Sequence, residues 1–178
     1  MISDCGFSRC FLELYPMIRS ATAQDYSQLA TIYNHYIVNT HSTFEMNAVS
    51  PSEMGNRIER VQTHLNLPWL VIAEDEVPVG YAYATQWKPR SAYAKTTETS
   101  IYLHQDHFGK GYGTQLYTAL ISQLRQLGYH ALIGGISLPN EPSIKLHEAL
   151  GFKAIGSFKE VGYKFDRWID VGYWQLIL

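Results

Sequence analysis

The chain has 178 residues, 46 % hydrophobic and 17 % charged, with a formal charge of −2 at pH 7. That balance fits one folded domain with a sizeable core and excludes a disordered chain. No run of Lys or Arg occurs, which argues against a nucleic-acid partner, and no apolar stretch is long enough for a membrane span.

Residues 1–16 read as a tail. The two cysteines, Cys5 and Cys10, both lie there, so no disulfide framework is expected in the body and a reducing cytoplasm fits. Phe11, Leu12 and Leu14, interrupted by Glu13, are too short a patch for a signal segment. The domain is expected over residues 17–178, with Met17 as an alternative start and residues 1–16 dispensable or disordered.

Residues 18–21 read as a short strand. Thr22 and Asp25 form a capping box before a helix whose apolar face is Leu29, Ile32, Tyr33, Tyr36 and Ile37. Residues 38–49 look extended. Ser50-Pro51-x-Glu53 opens a second helix, with Pro at its first position, a second box and Met54, Ile58 and Val61 on its apolar face. Strands are expected over 69–74 and 79–87 around a turn at 75–78, and over 96–104. Leu116, Leu120, Leu124 and Leu127 mark a third helix ended by Gly128. Residues 131–137 read as a buried strand, 141–150 as a short helix, and 153–158 and 169–178 as closing strands. No internal repeat or linker interrupts this order, which suits an α/β or α+β domain with a partly antiparallel sheet.

The most informative junction is Phe108-Gly109-Lys110-Gly111-Tyr112-Gly113-Thr114, between a strand and a helix. Glycine lets backbone N–H groups approach a ligand, and the new helix adds unpaired N–H donors and the positive end of its dipole. Such a turn suits a diphosphate-carrying cofactor; the alternative is a plain glycine-rich turn. The spacing matches neither a P-loop nor the dinucleotide fingerprint.

Glu98 shares one strand face with Ser100 and Tyr102. It is either a solvated or salt-bridged side chain or a general base facing a cleft. Lys88, Arg90 and Tyr93 form either a solvated basic turn or a clamp for an anionic substrate, with Phe44 as an apolar wall. Tyr163 and Lys164, in a late loop, are candidates to close that pocket. His147, taken alone, reads as a structural helix residue, and Asn140 as a turn or cap residue. His104, Asp106 and His107 have poor spacing for a metal, so none is expected. No G-x-S-x-G elbow occurs and no Cys lies in the body, which favours direct transfer over a covalent enzyme intermediate.

The glycine junction resembles motif A of the GNAT acyltransferases, with Phe108 where that superfamily usually has Gln or Arg. Thr43-Phe44-Glu45, Trp87-Lys88-x-Arg90-x-Ala92-Tyr93, Glu98-x-Ser100-x-Tyr102, Pro139-Asn140-x-Pro142-Ser143, Leu146-His147-Glu148-x-Leu150-Gly151-Phe152, Gly162-Tyr163-Lys164 and Trp168-x-Asp170-Val171-Gly172 occur in that order along the chain. Together they resemble the phosphinothricin and methionine sulfoximine N-acetyltransferases over residues 18–178. The resemblance implies a GNAT fold, a mixed and mostly antiparallel sheet flanked by helices. It also implies acetyl-CoA as cosubstrate, a small amino-acid-like substrate and a homodimer.

The resemblance further implies that Gly109, Lys110, Gly111, Tyr112, Gly113 and Thr114 hold the pyrophosphate. Ile101, Tyr102, Leu103, Asn140 and Ser143 would contact the rest of the cofactor, with donors near Leu103 polarising the carbonyl. Glu98 would be the base, His147 the group that protonates the leaving thiolate or supports the base. Phe44, Lys88, Arg90, Tyr93 and Ser100 would bind substrate. The rival readings are acetylation of another amine, such as a polyamine, aminoglycoside or protein N-terminus, and a non-catalytic acyl-CoA-binding regulator.

Overall fold

The computed structural model describes residues 16–178, so residues 1–15 of the expected tail lie outside the described residues. The elements run β1 (Met17–Ser20), α1 (Tyr26–Asn39), α2 (Pro51–Glu59), β2 (Trp69–Glu74), β3 (Val77–Gln86), β4 (Thr96–Leu103), α3 (Tyr112–Gln126), β5 (Ala131–Ser137), α4 (Glu141–Ala149), β6 (Lys153–Lys164) and β7 (Arg167–Ile177). One seven-stranded sheet has the order β1-β2-β3-β4-β5-β7-β6. Its only parallel pair among the described residues is β4–β5.

The first helix starts where its sequence signal lies. The Asp25 carboxylate accepts the Thr22 N–H at 2.7 Å and both arms of Arg19 at 2.7 and 2.8 Å. Burial pushes the Asp25 carboxyl up, but Arg19 and Thr22 outweigh it and hold it below the ordinary value of 3.8. Only half of the second capping box forms. Ser50 Oγ accepts the Glu53 N–H, while the Glu53 carboxylate turns away to Arg57, 3.0 Å distant.

Helices α1 and α2 cover one face of the sheet. Tyr33 and Tyr36 of α1 meet Tyr102 of β4 edge-on, at 5.1 and 5.0 Å. Helix α3 covers the other face with Leu116, Leu120 and Leu124, all fully buried; each such burial contributes about 1.5–3 kcal/mol. Leu127 falls beyond the helix and is exposed, so the buried stripe ends at Leu124, one stripe position earlier than its spacing predicts.

The expected loop at 159–168 is mostly strand. β6 runs to Lys164 and pairs with β7 through two register shifts, and a two-residue turn at Phe165-Asp166 joins them with positive φ at both. Tyr163 is therefore an exposed strand residue. Lys164 is buried, its ammonium donating to the Thr43 carbonyl at 2.8 Å.

Candidate active site

The site exists because one strand pair stops early. β4 and β5 pair only at Thr96↔Ala131, Thr97↔Leu132 and Glu98↔Ile133. β4 then follows β3 to Gly80↔Leu103, while β5 follows β7 to Ser137↔Val171. The strands part like a wedge. A cleft of about 730 Å³ fills it, lined by residues 99–103 and 135–137, the start of α3, the start of α4 and Tyr36 of α1.

The backbone of β4 is sorted by this geometry. The Leu103 N–H donates to the Tyr36 hydroxyl at 3.2 Å, which itself donates to the Leu103 carbonyl at 2.7 Å. Alternation along the strand then points the polar groups of Ile101 into the wedge and turns those of Ser100 and Tyr102 toward β3. Two of the expected cofactor contacts are engaged within the fold. Tyr102 offers no free backbone group to a cofactor, because β3 uses it. The Leu103 amide, expected to polarise a carbonyl, is engaged by Tyr36.

The glycine turn has the expected form. Gly109 and Gly111 both adopt φ +78°, a left-handed conformation that side chains resist. Gly111 is the N-cap of α3 and has no side chain to satisfy the helix donors. The N–H groups at the start of α3 therefore remain for a ligand, and Gly109, Gly111, Gly113 and Thr114 line the cleft. The Lys110 and Tyr112 side chains do not line it. The Tyr112 hydroxyl donates to Glu74 at the end of β2, the Lys110 ammonium lies 3.6 Å from the same carboxylate, and His107 Nε2 lies 3.1 Å from it. The Tyr112 hydroxyl leads in holding the Glu74 carboxyl below its ordinary value. Glu74 thus anchors the turn from behind, a role that local spacing does not signal across 33 to 38 residues. His107 faces Glu74 and meets the His104 ring edge-on at 5.5 Å, while His104 Nδ1 accepts the Asp106 N–H as a turn contact.

Glu98 and His147 lie on opposite faces of the sheet. A Cβ at Gly135 would stand 3.4 Å from Glu98 Oε1 and 3.4 Å from the Tyr173 ring, whereas one at Gly134 would collide with His147 at 2.5 Å. Consecutive strand residues face opposite sides. Glu98 therefore belongs to the α1 and α2 face, and His147 to the α3 face. Desolvation alone pushes the Glu98 carboxyl up from its ordinary 4.5. Ser100 lines the cleft on the Glu98 face.

The predicted substrate clamp is outside the cleft wall, and its side chains are exposed. A chain of contacts nonetheless joins it to Glu98. Tyr173 lies beside Gly135, Trp87 meets Tyr173 at 5.9 Å, and the Lys88 ammonium sits 5.4 Å from the Trp87 ring and 5.6 Å from Tyr93. Arg90 stands next to this group in an exposed turn. Phe44 packs against Gly162, where any Cβ would overlap its ring.

His147 stands in the cleft wall, with both ring nitrogens engaged by the fold. It is 3 % exposed, with Nδ1 2.8 Å from the Ser143 carbonyl and Nε2 3.0 Å from the Tyr117 hydroxyl. Desolvation lowers it from its ordinary 6.5. Asn140 Oδ1 caps α4 by accepting the Ser143 N–H, and its Nδ2 reaches Ser42. Tyr117 is the residue that sequence reasoning missed, since beside Leu116 it reads as core.

A wedge between parallel strands, a glycine-capped helix at its mouth and a desolvated carboxylate at its apex suit transfer from a phosphate-bearing carrier to a nucleophile. The family model described as an acetyltransferase (GNAT) domain matches residues 18–172. The chain is 41 % identical over 158 residues to a phosphinothricin N-acetyltransferase of Streptomyces viridochromogenes, covering 89 % of this chain and 85 % of that protein. It is 36 % identical over 163 residues to an L-methionine sulfoximine/L-methionine sulfone acetyltransferase of Salmonella typhimurium, covering 90 % and 94 %. A GNAT superfamily phosphinothricin acetyltransferase from Sinorhizobium meliloti, solved with acetyl-CoA, superimposes with a TM-score of 0.88 at 34 % identity, covering 92 % of this chain and 88 % of that one. The chain belongs to the GNAT acetyltransferase family.

Proposed function

We propose that the chain is an acetyl-CoA-dependent N-acetyltransferase acting on the amino group of a small amino-acid analogue of the phosphinothricin, methionine sulfoximine or methionine sulfone type. The observation that carries this reading is the wedge beyond Glu98↔Ile133, with its glycine turn at the mouth. The N–H groups of residues 111–114 hold the cofactor's pyrophosphate, and Ile101 offers strand-like hydrogen bonds to its arm. Lys88, Arg90 and Tyr93 meet the anionic end of the substrate, beside the Trp87–Tyr173 wall. Glu98 takes a proton from the ammonium, directly or through one water. The freed amine attacks the thioester carbon, with most of the acceleration coming from juxtaposition. Exposed Ile155, Phe158, Val161 and Trp168 on the β6–β7 hairpin support a homodimer closed over that surface.

A thiol-release assay with acetyl-CoA and a panel of amines tests the reading. Methionine sulfoximine, methionine sulfone or phosphinothricin should turn over, and spermidine should not. Turnover of polyamines alone would assign a different acceptor, and acetyl-CoA binding without turnover would make the protein a regulator. Arg90→Ala should raise KM for the amine and leave KM for acetyl-CoA unchanged.

A further inference from the structure

The polar chain behind His147 fixes the position of each of its hydrogens. The Ser143 carbonyl, 2.8 Å from Nδ1, can only accept, so Nδ1 carries a hydrogen. In the neutral ring Nε2 is then a bare acceptor, and the Tyr117 hydroxyl at 3.0 Å must donate to it. Thr99 Oγ1 lies 2.6 Å from the Tyr117 oxygen. With the Tyr117 hydrogen already committed, Thr99 is the donor there. The donations therefore run in one direction, from Thr99 to Tyr117 to His147.

The opposite direction is also provided for. Thr99 Oγ1 is 3.3 Å from the Ile133 carbonyl. When His147 holds a hydrogen on both nitrogens, Nε2 donates to Tyr117, Tyr117 to Thr99, and Thr99 to Ile133. Every member keeps a partner in both states, as a low-dielectric site requires. Tyr117 is completely buried, whereas Thr99 lines the cleft at the first β4 position past the last β4–β5 pair.

We propose that Thr99 and Tyr117 form a proton path between the wedge and His147, with His147, itself part of the cleft wall, holding a proton in transit. This rests on the acetyl-transfer reading. When the amine attacks, a C–N bond forms and the cationic nitrogen must lose a proton. When the C–S bond breaks, sulfur leaves with the electron pair and must gain one. A proton taken up at Thr99 Oγ1 sends the Thr99 hydrogen to Tyr117 and the Tyr117 hydrogen to Nε2. The reverse movement delivers a proton from Thr99 to sulfur. His147 ends each turnover as it began, and the first ammonium proton leaves through Glu98 to water.

The groups around His147 suit a neutral resting state. Tyr117 faces it from α3, Gly134 from β5 and Phe152 from beyond α4, edge-on at 5.0 Å. Tyr117 is the titratable one among them, and Glu98 acts on Tyr117 from β4. Among the described residues no carboxylate or cation acts on His147.

Proton inventories of kcat in mixtures of H2O and D2O, with a slow substrate, test the path. The wild type should give a bowed inventory, because more than one hydrogen moves. Tyr117→Phe and Thr99→Val should each lower kcat about tenfold or more, leave KM for acetyl-CoA unchanged and straighten the plot; Thr99→Ser should restore the bow. Folded variants with the wild-type rate and inventory, or slower ones whose plots stay bowed, would overturn the proposal. Imidazole 15N shifts of the intact enzyme give an answer even if a variant does not fold. They should report hydrogen on Nδ1 and a bare Nε2 at pH 7, and the opposite tautomer would overturn it. A wild type that acetylates no amino acid would instead sink the acetyl-transfer reading, and the path with it.

Discussion

Adding one methyl to each of two adjacent glycines should separate folding from chemistry. At Gly134 the new carbon would lie 2.5 Å from His147 Nε2 and 2.7 Å from Cδ2. The ring cannot retreat, because Ser143 holds Nδ1 and Phe152 packs on its other side. Gly134→Ala must therefore break the Tyr117–His147 hydrogen bond and push α4 outward. Leaving buried polar atoms unpaired costs about 1–3 kcal/mol, and overpacking costs a similar amount. Replacing a strand glycine returns about 0.5–1 kcal/mol. The net loss is about 3 kcal/mol, or roughly 10 °C in Tm for a chain of this size. At Gly135 the carbon would sit 3.4 Å from Glu98 Oε1 and from the Tyr173 ring, which is ordinary contact. Gly135→Ala should keep or slightly raise Tm, yet place a methyl beside Glu98, the proposed base, and lower kcat/KM about tenfold or more. Urea denaturation followed by circular dichroism, with thiol release on the same samples, reads both quantities. Gly134→Ala as stable as the wild type, or Gly135→Ala the less stable of the two, would refute the assignment of the two glycines to opposite faces.

Glu98→Gln should abolish most turnover near neutrality while raising stability. The folded carboxyl titrates above its ordinary 4.5, so the wild type loses stability as pH rises through that interval and the glutamine variant does not; melting curves at pH 4 and pH 8 should therefore converge at the lower value. Asp25→Asn should cost about 3 kcal/mol by stranding Arg19. Asp25 titrates below 3.8 in the fold, so its contribution is present above 3.8 and fades as pH falls below it, which acid denaturation of the two proteins would reveal. Gly111→Ala forces a side chain to φ +78° at the head of α3. It should raise KM for acetyl-CoA several-fold with little change in KM for the amine, since no neighbour closer than 4.0 Å obstructs the methyl.

Most elements are legible because local rules and burial agree. The i, i+3, i+4 stripe of α1 is the stripe that is buried, and the short apolar run at 131–137 is a central strand. What escapes the sequence is pairing. β6 is an edge strand with positive φ at Glu160 and Gly156 and two register shifts, so its alternation is broken and its second half reads as loop. Nothing in the run from Thr96 to Leu103 announces that β5 leaves it after Glu98. The cleft was legible as residue types, namely Glu98 and the glycine turn, whereas the Lys88–Tyr93 cluster falls outside its wall. The arrangement was not: Glu74 reaches the glycine turn from the end of β2, and Tyr117 joins His147 from another helix.

The unfinished β4–β5 ladder is where fold and activity meet. Pairing that continued past Ile133 would satisfy the Ile101 backbone and close the sheet, a gain of about 0.5–1.5 kcal/mol per hydrogen bond. It would also leave no passage between the face that carries Glu98 and the face that carries His147. The chain forgoes those bonds and limits the loss in two ways: the cleft keeps the Ile101 groups within reach of solvent or ligand, and the Tyr36 hydroxyl takes both polar groups of Leu103. Glycines at 134 and 135 let side chains from both faces close on the strand at the apex. On the proposed reading, a carrier entering from the glycine turn meets, at one point in the sheet, a carboxylate on one side and a hydroxyl path on the other, and the parting of two strands after three paired residues sets that point.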